Sequence, residues 1–258
     1  MYAGLEGKRV LITAGAAGLG ALLGRQFIAE GAKVHCCDID ETALSVLRQS
    51  SPDITQSHAD VSDPAAVDRT FTEALESLGG LDILVNNAGI AGPTASVEDM
   101  SFEDWSRTMQ INIDGQFLFA NRAIPHLKSA GGGVIINLSS VAGLIGCARR
   151  APYVASKWAV IGFTKTLAME LGASNIRVNA ICPGALTGDR MDRVIAGEAA
   201  ATGLTEAEVR ERTTQSNSLR SFIDPEDITS MILFLCSDAS AKMTGQAITV
   251  DGHTETMR

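Results

Sequence analysis

Three side chains in this sequence could together perform a proton transfer coupled to a hydride transfer. They are the hydroxyl of Ser140, the phenol of Tyr153 thirteen residues later and the ammonium of Lys157 four residues beyond that. Pro152 pre-sets φ for a first helical turn, and no further proline occurs up to Leu171, so Tyr153 and Lys157 are expected at i and i+4 of one helix. That spacing puts them on one face, about 6 Å apart. An ammonium beside a phenol favours the phenolate and draws its pKa down from a resting value of about 10, which makes Tyr153 a candidate general acid/base. Taken alone, the same spacing also describes an amphipathic surface pair.

The elements that must hold these groups alternate along the chain. Short apolar runs that read as strands occupy 9–13, 33–37, 55–59, 83–86, 134–138, 177–182 and 247–250. Most lack strict alternation, the pattern of strands buried on both faces. Helical segments at 19–30, 41–48, 64–78, 102–128, 152–171 and 225–235 lie between them. No linker, repeat or low-complexity tract divides the 258 residues. Right-handed crossovers then predict a single α/β domain, a doubly wound parallel sheet of about seven strands with helices on both faces. The rhythm breaks at 185–222, where two amphipathic helices at 189–201 and 206–213 suit a flap over a cleft, or a surface excursion without a role.

The first strand runs into Thr13-Ala-Gly-Ala-Ala-Gly18-Leu-Gly20, which opens the first helix. Glycines in that context let a backbone approach a pyrophosphate, and a helix N-terminus attracts it, so Gly15, Ala17, Gly18, Leu19 and Gly20 are candidate cofactor contacts. The second strand ends in Asp38, followed by Ile39, eighteen residues after Gly20. A carboxylate there accepts hydrogen bonds from a ribose 2′-hydroxyl and repels a 2′-phosphate, which favours NAD over NADP. Asp38 also suits a helix cap. Asn86-Asn87-Ala88-Gly89 closes the fourth strand and could pack along the cofactor, or be a plain turn.

Composition limits the alternatives. A net charge of −9 disfavours a nucleic-acid partner, because phosphate binding needs a basic surface. No stretch approaches twenty uninterrupted apolar residues, and residues 1–8 lack the basic flank and apolar core of a signal peptide, so no membrane association is expected and the cytoplasm is the expected location. The five cysteines have no C-x-x-C spacing and read as reduced and structural. Four scattered histidines give no metal-ligand pattern, and no metal site is expected.

With these motifs in order, the chain resembles the short-chain dehydrogenase/reductase family over essentially its whole length. Asp60-Val61 matches that family's adenine-side Asp, and Asn86 to Gly89 its N-N-A-G element. Asn112, within Gln110-Ile-Asn-Ile-Asp-Gly115, sits at its kinked-helix asparagine; Ser140 and Tyr153-Val-Ala-Ser-Lys157 complete a tetrad, and Pro183-Gly184 follows the sixth strand. The resemblance implies that Tyr153 exchanges a proton with the substrate oxygen, Ser140 hydrogen-bonds that oxygen, Lys157 holds the nicotinamide ribose, and Asn112 anchors a water joining Lys157 to solvent. It also implies a homotetramer, with helices 102–128 and 152–171 in the dimer contact. Three places depart from the pattern. Ala14 stands where the family has its first loop glycine, Thr187 lies four rather than five positions after Pro183, and Val250-Asp-Gly-His253 replaces V-D-G-G.

The expected activity is reversible hydride transfer between a secondary alcohol or ketone and NAD. Paired arginines, Arg149 with Arg150 and Arg190 with Arg193, border the expected substrate region of an otherwise acidic chain. In a desolvated cleft they would grip an anionic polyol, sugar acid or hydroxy acid; on a surface they would be solvated charge or subunit contacts. The rival readings are an NADP-dependent ketone or 3-oxoacyl reductase and a nucleotide-sensing protein without turnover.

Overall fold

The computed structural model describes residues 2–256. In chain order the elements are β1 (Arg9–Thr13), α1 (Gly18–Ala29), β2 (Lys33–Asp38), α2 (Glu41–Ser50), β3 (Ile54–His58), α3 (Pro64–Leu78), β4 (Ile83–Asn86), α4 (Phe102–Met109), α5 (Gly115–Ser129), β5 (Gly133–Leu138), α6 (Ala151–Leu171), β6 (Ile176–Pro183), α7 (Asp189–Thr202), α8 (Glu206–Gln215), α9 (Pro225–Cys236) and β7 (Ala247–Val250). All seven strands are parallel, in the order β3-β2-β1-β4-β5-β6-β7. The order reverses between β1 and β4, the switch point at which a doubly wound sheet opens a crevice beyond its strand ends.

Each face of the sheet carries its own core. Val10, Ile12, Val34, Cys36 and Ile136 point into one, with α1 and α9. Leu11, Cys37, Leu84, Ile135 and Val178 point into the other, with α3, α5 and α6. Alternate residues of one strand therefore enter opposite cores, which is why these strands are apolar throughout. All five cysteines are free, and burial pushes the Cys36 and Cys37 thiols up, so they pack as small apolar groups. Among the described residues no helix is long and apolar enough to cross a membrane.

Strand and helix limits differ from the sequence expectation by a residue or two, as at β3, which begins at Ile54 and excludes Ala59. The larger correction concerns the helix expected at 102–128. It is interrupted by a π turn, Gln110–Asp114, between α4 and α5. There the Asn112 amide bonds both backbone groups of Ile90, its Oδ1 accepting from Ile90 N (2.8 Å) and its Nδ2 donating to Ile90 O (3.0 Å). A side chain tied to a strand-end loop holds the extra residue in the helix.

Between β4, β5 and α6 the apolar interior contains a polar chain. Asn86 Nδ2 donates to Asn137 Oδ1 (2.9 Å), Asn137 Nδ2 donates to Thr164 Oγ1 (2.9 Å), and Thr164 donates to Val160 O (2.8 Å). All three residues are buried, so the chain fixes the alignment of α6 on the sheet. Asn137→Ala removes two of these bonds and leaves Asn86 Nδ2 only its longer bond to Gln116 O (3.5 Å). It should lower unfolding stability by about 1–3 kcal/mol in urea titrations; a loss below about 0.5 kcal/mol would show that the network does not stabilise the fold.

Candidate active site

Helix α6 begins just after Arg150, with Pro152 in its first turn, and carries Tyr153 and Lys157 one turn apart as the spacing predicts. Lys157 Nζ lies 5.7 Å from the centroid of the Tyr153 ring. The lysine is 3 % exposed, and its Nζ donates to Leu138 O (2.7 Å) at the end of β5. One residue on, Ser139 Oγ donates to the carbonyl of Lys157 (2.8 Å). A Cβ at Gly143 would lie 2.6 Å from Ser139 Oγ and 2.7 Å from Lys157 O, so α6 reaches the strand end only because that position has no side chain.

The remaining polar groups converge on the same point. Ser140 follows β5, accepts from Ala142 N (3.2 Å), and its hydroxyl is among the groups that lower the Tyr153 phenol. Asn112 Nδ2 also donates to Ser156 Oγ (3.1 Å), which in turn donates to Tyr153 O (2.8 Å). A Cβ at Gly89 would meet Asn112 Oδ1 at 3.2 Å and Lys157 Nζ at 3.4 Å, placing that glycine beside both. The four tetrad positions are thus gathered from β5, α6 and the π turn.

Electrostatics at this point favour the phenolate. Burial is the largest single influence on Tyr153 and acts upward, yet Lys157, Arg190, the Ser140 hydrogen bond and Arg150 together hold the phenol below its ordinary 10. Burial pushes the Lys157 ammonium down to about 8, with Tyr153 and Cys182 opposing and Arg190 assisting.

At the other end of the crevice, α1 differs from its neighbours. Its N-cap is Ala17, without a side-chain cap or an acidic residue in the first turn, whereas α2, α3, α4 and α8 are capped by Asp40, Asp63, Ser101 and Thr205. The exposed Ala17 and Gly18 leave backbone N–H groups and the positive helix end open to an anion. A Cβ at Gly20 would sit 2.2 Å from Ala14 O, so the turn must close over a glycine. These residues fit the pyrophosphate of a dinucleotide. Ala14 itself takes φ 50°, the left-handed conformation a glycine would take, and keeps the turn in place. Asn87 Nδ2 donates to Thr13 O and Ala14 O (3.0 Å each), while Thr13 Oγ1 accepts from Asn87 N and Ala88 N (2.9 Å each). Asp38 Oδ2 accepts from Ala16 N (3.0 Å), so the same carboxylate that would meet a ribose also braces the loop; Ile39 next to it is exposed.

Other expected contacts are more occupied. Asp60 is ion-paired with Arg107 (2.9 Å) and accepts from Ser62; against burial, those hydrogen bonds hold its carboxyl below the usual range, and Val61 is buried beside Gly115. Gly184 follows Pro183 with a Cβ position only 2.8 Å from the Asp251 backbone, and Thr187 is exposed, its hydroxyl 3.4 Å from Asp224 Oδ1. His253, the other departure from glycine, takes φ 66° and its ring bonds Ser218 (2.7 Å).

Of the four expected substrate arginines, three share one cleft and the fourth does not. Arg150, Arg190 and Arg193 line a cavity of about 520 Å³ together with Gly89, whereas Arg149 is tied to Glu198 on α7 (2.5 Å). Sequence reasoning missed Gly92, Thr94 and Gly197 in its walls and the bracing Ser139. The residues at 190, 193, 194 and 197 recur at helical spacing on one face of α7, a signal that was legible. Among the described residues no group of three or more His, Cys, Asp or Glu is placed to hold a metal.

Comparison with known proteins gives the family. The family model described as Enoyl-(Acyl carrier protein) reductase matches residues 14–253. The 2-(S)-hydroxypropyl-CoM dehydrogenase 3 of Xanthobacter autotrophicus is 36 % identical over 252 residues, covering 96 % of each chain. The trans-4-hydroxycyclohexanecarboxylate dehydrogenase of Sinomonas cyclohexanicum is 38 % identical, over 95 % of this chain and 92 % of the relative. The crystal structure of an NAD+-bound xylitol dehydrogenase superposes with a TM-score of 0.92 at 29 % identity, covering 96 % of this chain and 99 % of that one. The chain belongs to the short-chain dehydrogenase/reductase family and is an oxidoreductase acting on alcohol or carbonyl groups.

The field at Tyr153 can be read without turnover, since Tyr2 is the other of two tyrosines. In a Tyr2→Phe background, the phenolate absorbance should rise at a pH below the ordinary phenol value of about 10. Lys157→Met should move that rise to higher pH, and Arg190→Gln should move it less. A rise unmoved by Lys157→Met would refute the stated cause.

Proposed function

We propose that this protein is an NAD-dependent dehydrogenase of secondary alcohols, working reversibly as a ketone reductase. The observation that carries the reading is the buried Lys157 within 5.7 Å of a Tyr153 ring whose phenol is held below its ordinary pKa. In alcohol oxidation the Tyr153 phenolate takes the hydroxyl proton as the C–H bond on the same carbon breaks; in reduction the phenol returns it to the forming alkoxide. Bound NAD supplies the hydride acceptor at C4 of its nicotinamide ring. Ser140 aims a hydroxyl dipole at the substrate oxygen, where negative charge develops. Lys157 keeps the phenol acidic and presents its ammonium to a nicotinamide ribose. Asn112, already bonded to Ile90 and Ser156, would anchor a water leading protons from Lys157 outward.

Gly15, Ala17, Gly18, Leu19 and Gly20 would hold the pyrophosphate, with Asp38 and Ile39 at the adenosine ribose, Asp60 and Val61 at the adenine, and Asn87, Ala88, Gly89, Pro183, Gly184 and Thr187 along the nicotinamide half. The NAD preference rests on Asp38, which presents a carboxylate where a 2′-phosphate would need a cation. The NAD+-bound relative supports it. Helices α7 and α8, between β6 and α9, would form the flap over the substrate. A homotetramer is supported by exposed apolar residues on α4 to α6, among them Phe102, Phe117, Trp158 and Met169.

Tyr153→Phe should retain NAD binding by fluorescence titration and lower kcat by at least about 10², with the pH dependence of oxidation lost. Near-normal turnover in that variant rules the mechanism out. Asp38→Ser should reduce the ratio of kcat/KM for NAD over NADP at least about tenfold, in a screen of secondary alcohols run with both cofactors. An unchanged ratio would assign the discrimination to another residue.

A further inference from the structure

The cleft beside Tyr153 has three arginines in its walls and no carboxylate. Arg193 and Arg190 project from one face of α7, together with Val194 and Gly197, and Arg150 meets them from the start of α6. Among the described residues none of the three guanidinium groups has an acidic partner within 4 Å. The lack of partners is not for want of acids nearby. Two carboxylates on α7 itself are directed elsewhere, Asp192 to Arg210 on α8 and Glu198 to Arg149. In a chain with a net charge of −9, an unneutralised cluster of three cations at one place is the opposite of the average surface.

Arg150 is the built part of this cluster. It is 8 % exposed, and two of its N–H groups are spent on Thr94 Oγ1 (3.1 Å) and Ala91 O (2.9 Å), which fix the plane of the guanidinium. Three further N–H donors of that group remain for a ligand. Its Cζ lies 5.4 Å from the centroid of the Tyr153 ring, so an anion held by Arg150 is within a few bonds of any carbon whose hydroxyl faces the phenol. Gly89, beside Asn112 and Lys157, lines the same cavity. At about 520 Å³ the cavity matches a small molecule, not a polymer.

We propose that Arg150, Arg190 and Arg193 form an anion subsite, and that the substrate is a short hydroxyalkyl carboxylate or sulfonate whose charge sits a few bonds from the reacting carbinol. The proposal rests on the assignment of Tyr153 as the proton-transferring group. Arg150, fixed and desolvated, orients the anion; Arg190 and Arg193, on the exposed side, close over it and exclude uncharged analogues by leaving three cations unpaired. Two of these arginines, Arg190 and Arg150, also lower the Tyr153 phenol, so an anion bound beside them would moderate their pull on it.

Binding and turnover are tested separately. By calorimetry with the NAD-loaded enzyme, butanoate and propanesulfonate should bind to wild type, and Arg190→Gln and Arg193→Gln should each weaken at least one of them about tenfold or more. Both arginines are surface residues, so folding is not at stake; Arg150 is left intact. In turnover, 3-hydroxybutanoate and 2-hydroxypropanesulfonate should exceed the uncharged 3-hydroxybutanamide in kcat/KM at least about tenfold. That preference should fall in both variants, mainly through KM in Arg193→Gln. The tighter of the two anions identifies carboxylate or sulfonate. If neither anion binds wild type, or binding is equal in wild type and both variants, the subsite is overturned. If the anions bind as expected and no alcohol is oxidised, it is the assigned activity that fails.

Discussion

The arrangement depends on a single buried ammonium. Lys157 is withdrawn from water at the end of β5, where its Nζ donates to Leu138 O and its own carbonyl accepts from Ser139 Oγ. A buried cation is costly unless it is satisfied, and burial is the largest influence on this one, pushing it down to about 8. Two further features serve that position. Gly143 allows α6 to approach, and the Asn86–Asn137–Thr164 chain aligns the helix on the sheet. Once Lys157 is placed, Tyr153 one turn earlier is placed with it, because the helix is rigid over a single turn.

The cations around Tyr153 act on each other as well as on the phenol. Arg190 lowers both Tyr153 and Lys157, so the same charge that makes the phenol acidic makes the lysine easier to deprotonate. With Lys157 neutral, Tyr153 would lose the strongest influence holding it down. The field at the active site is therefore set jointly by α6 and by α7, an element outside the sheet. In this chain α7 carries both the exposed arginines and the carboxylates Asp192 and Glu198, which pair with other partners.

The departures from the family's glycine pattern show how strongly the surrounding structure determines local backbone. Ala14 and His253 both occupy the left-handed region in which glycine is favoured, at a cost on the order of 1 kcal/mol each. Ala14 is held there by Asn87, which bonds its carbonyl, and by the close passage of Gly20. His253 is held by Ser218 and by Asp251, whose carboxylate accepts from the His253 N–H (3.1 Å). The glycines lost from the motif changed the strain at these positions and left the path of the chain intact.

How much was legible in the sequence follows from the range of each interaction. The alternation of strands and helices, the strands apolar on both faces, the glycine turn opening α1 and the shared face of Tyr153 and Lys157 are all encoded within a few residues. Propensity, periodicity and spacing determine them before any tertiary contact forms. Periodicity alone read 102–128 as one helix; the kink at Asn112 came only from the family resemblance, because its cause is a bond to Ile90, twenty-two residues away. Spacing could not separate Arg149 from Arg150 either. Adjacent residues leave a helix start in different directions, and only the packing of α7 decided that one meets Glu198 and the other joins Arg190 and Arg193. The sequence by itself determined the alternation of strands and helices and the acid/base pair. Tertiary structure decided the burial of Lys157 and the company of the arginines, since both arise where segments distant along the chain exclude water together.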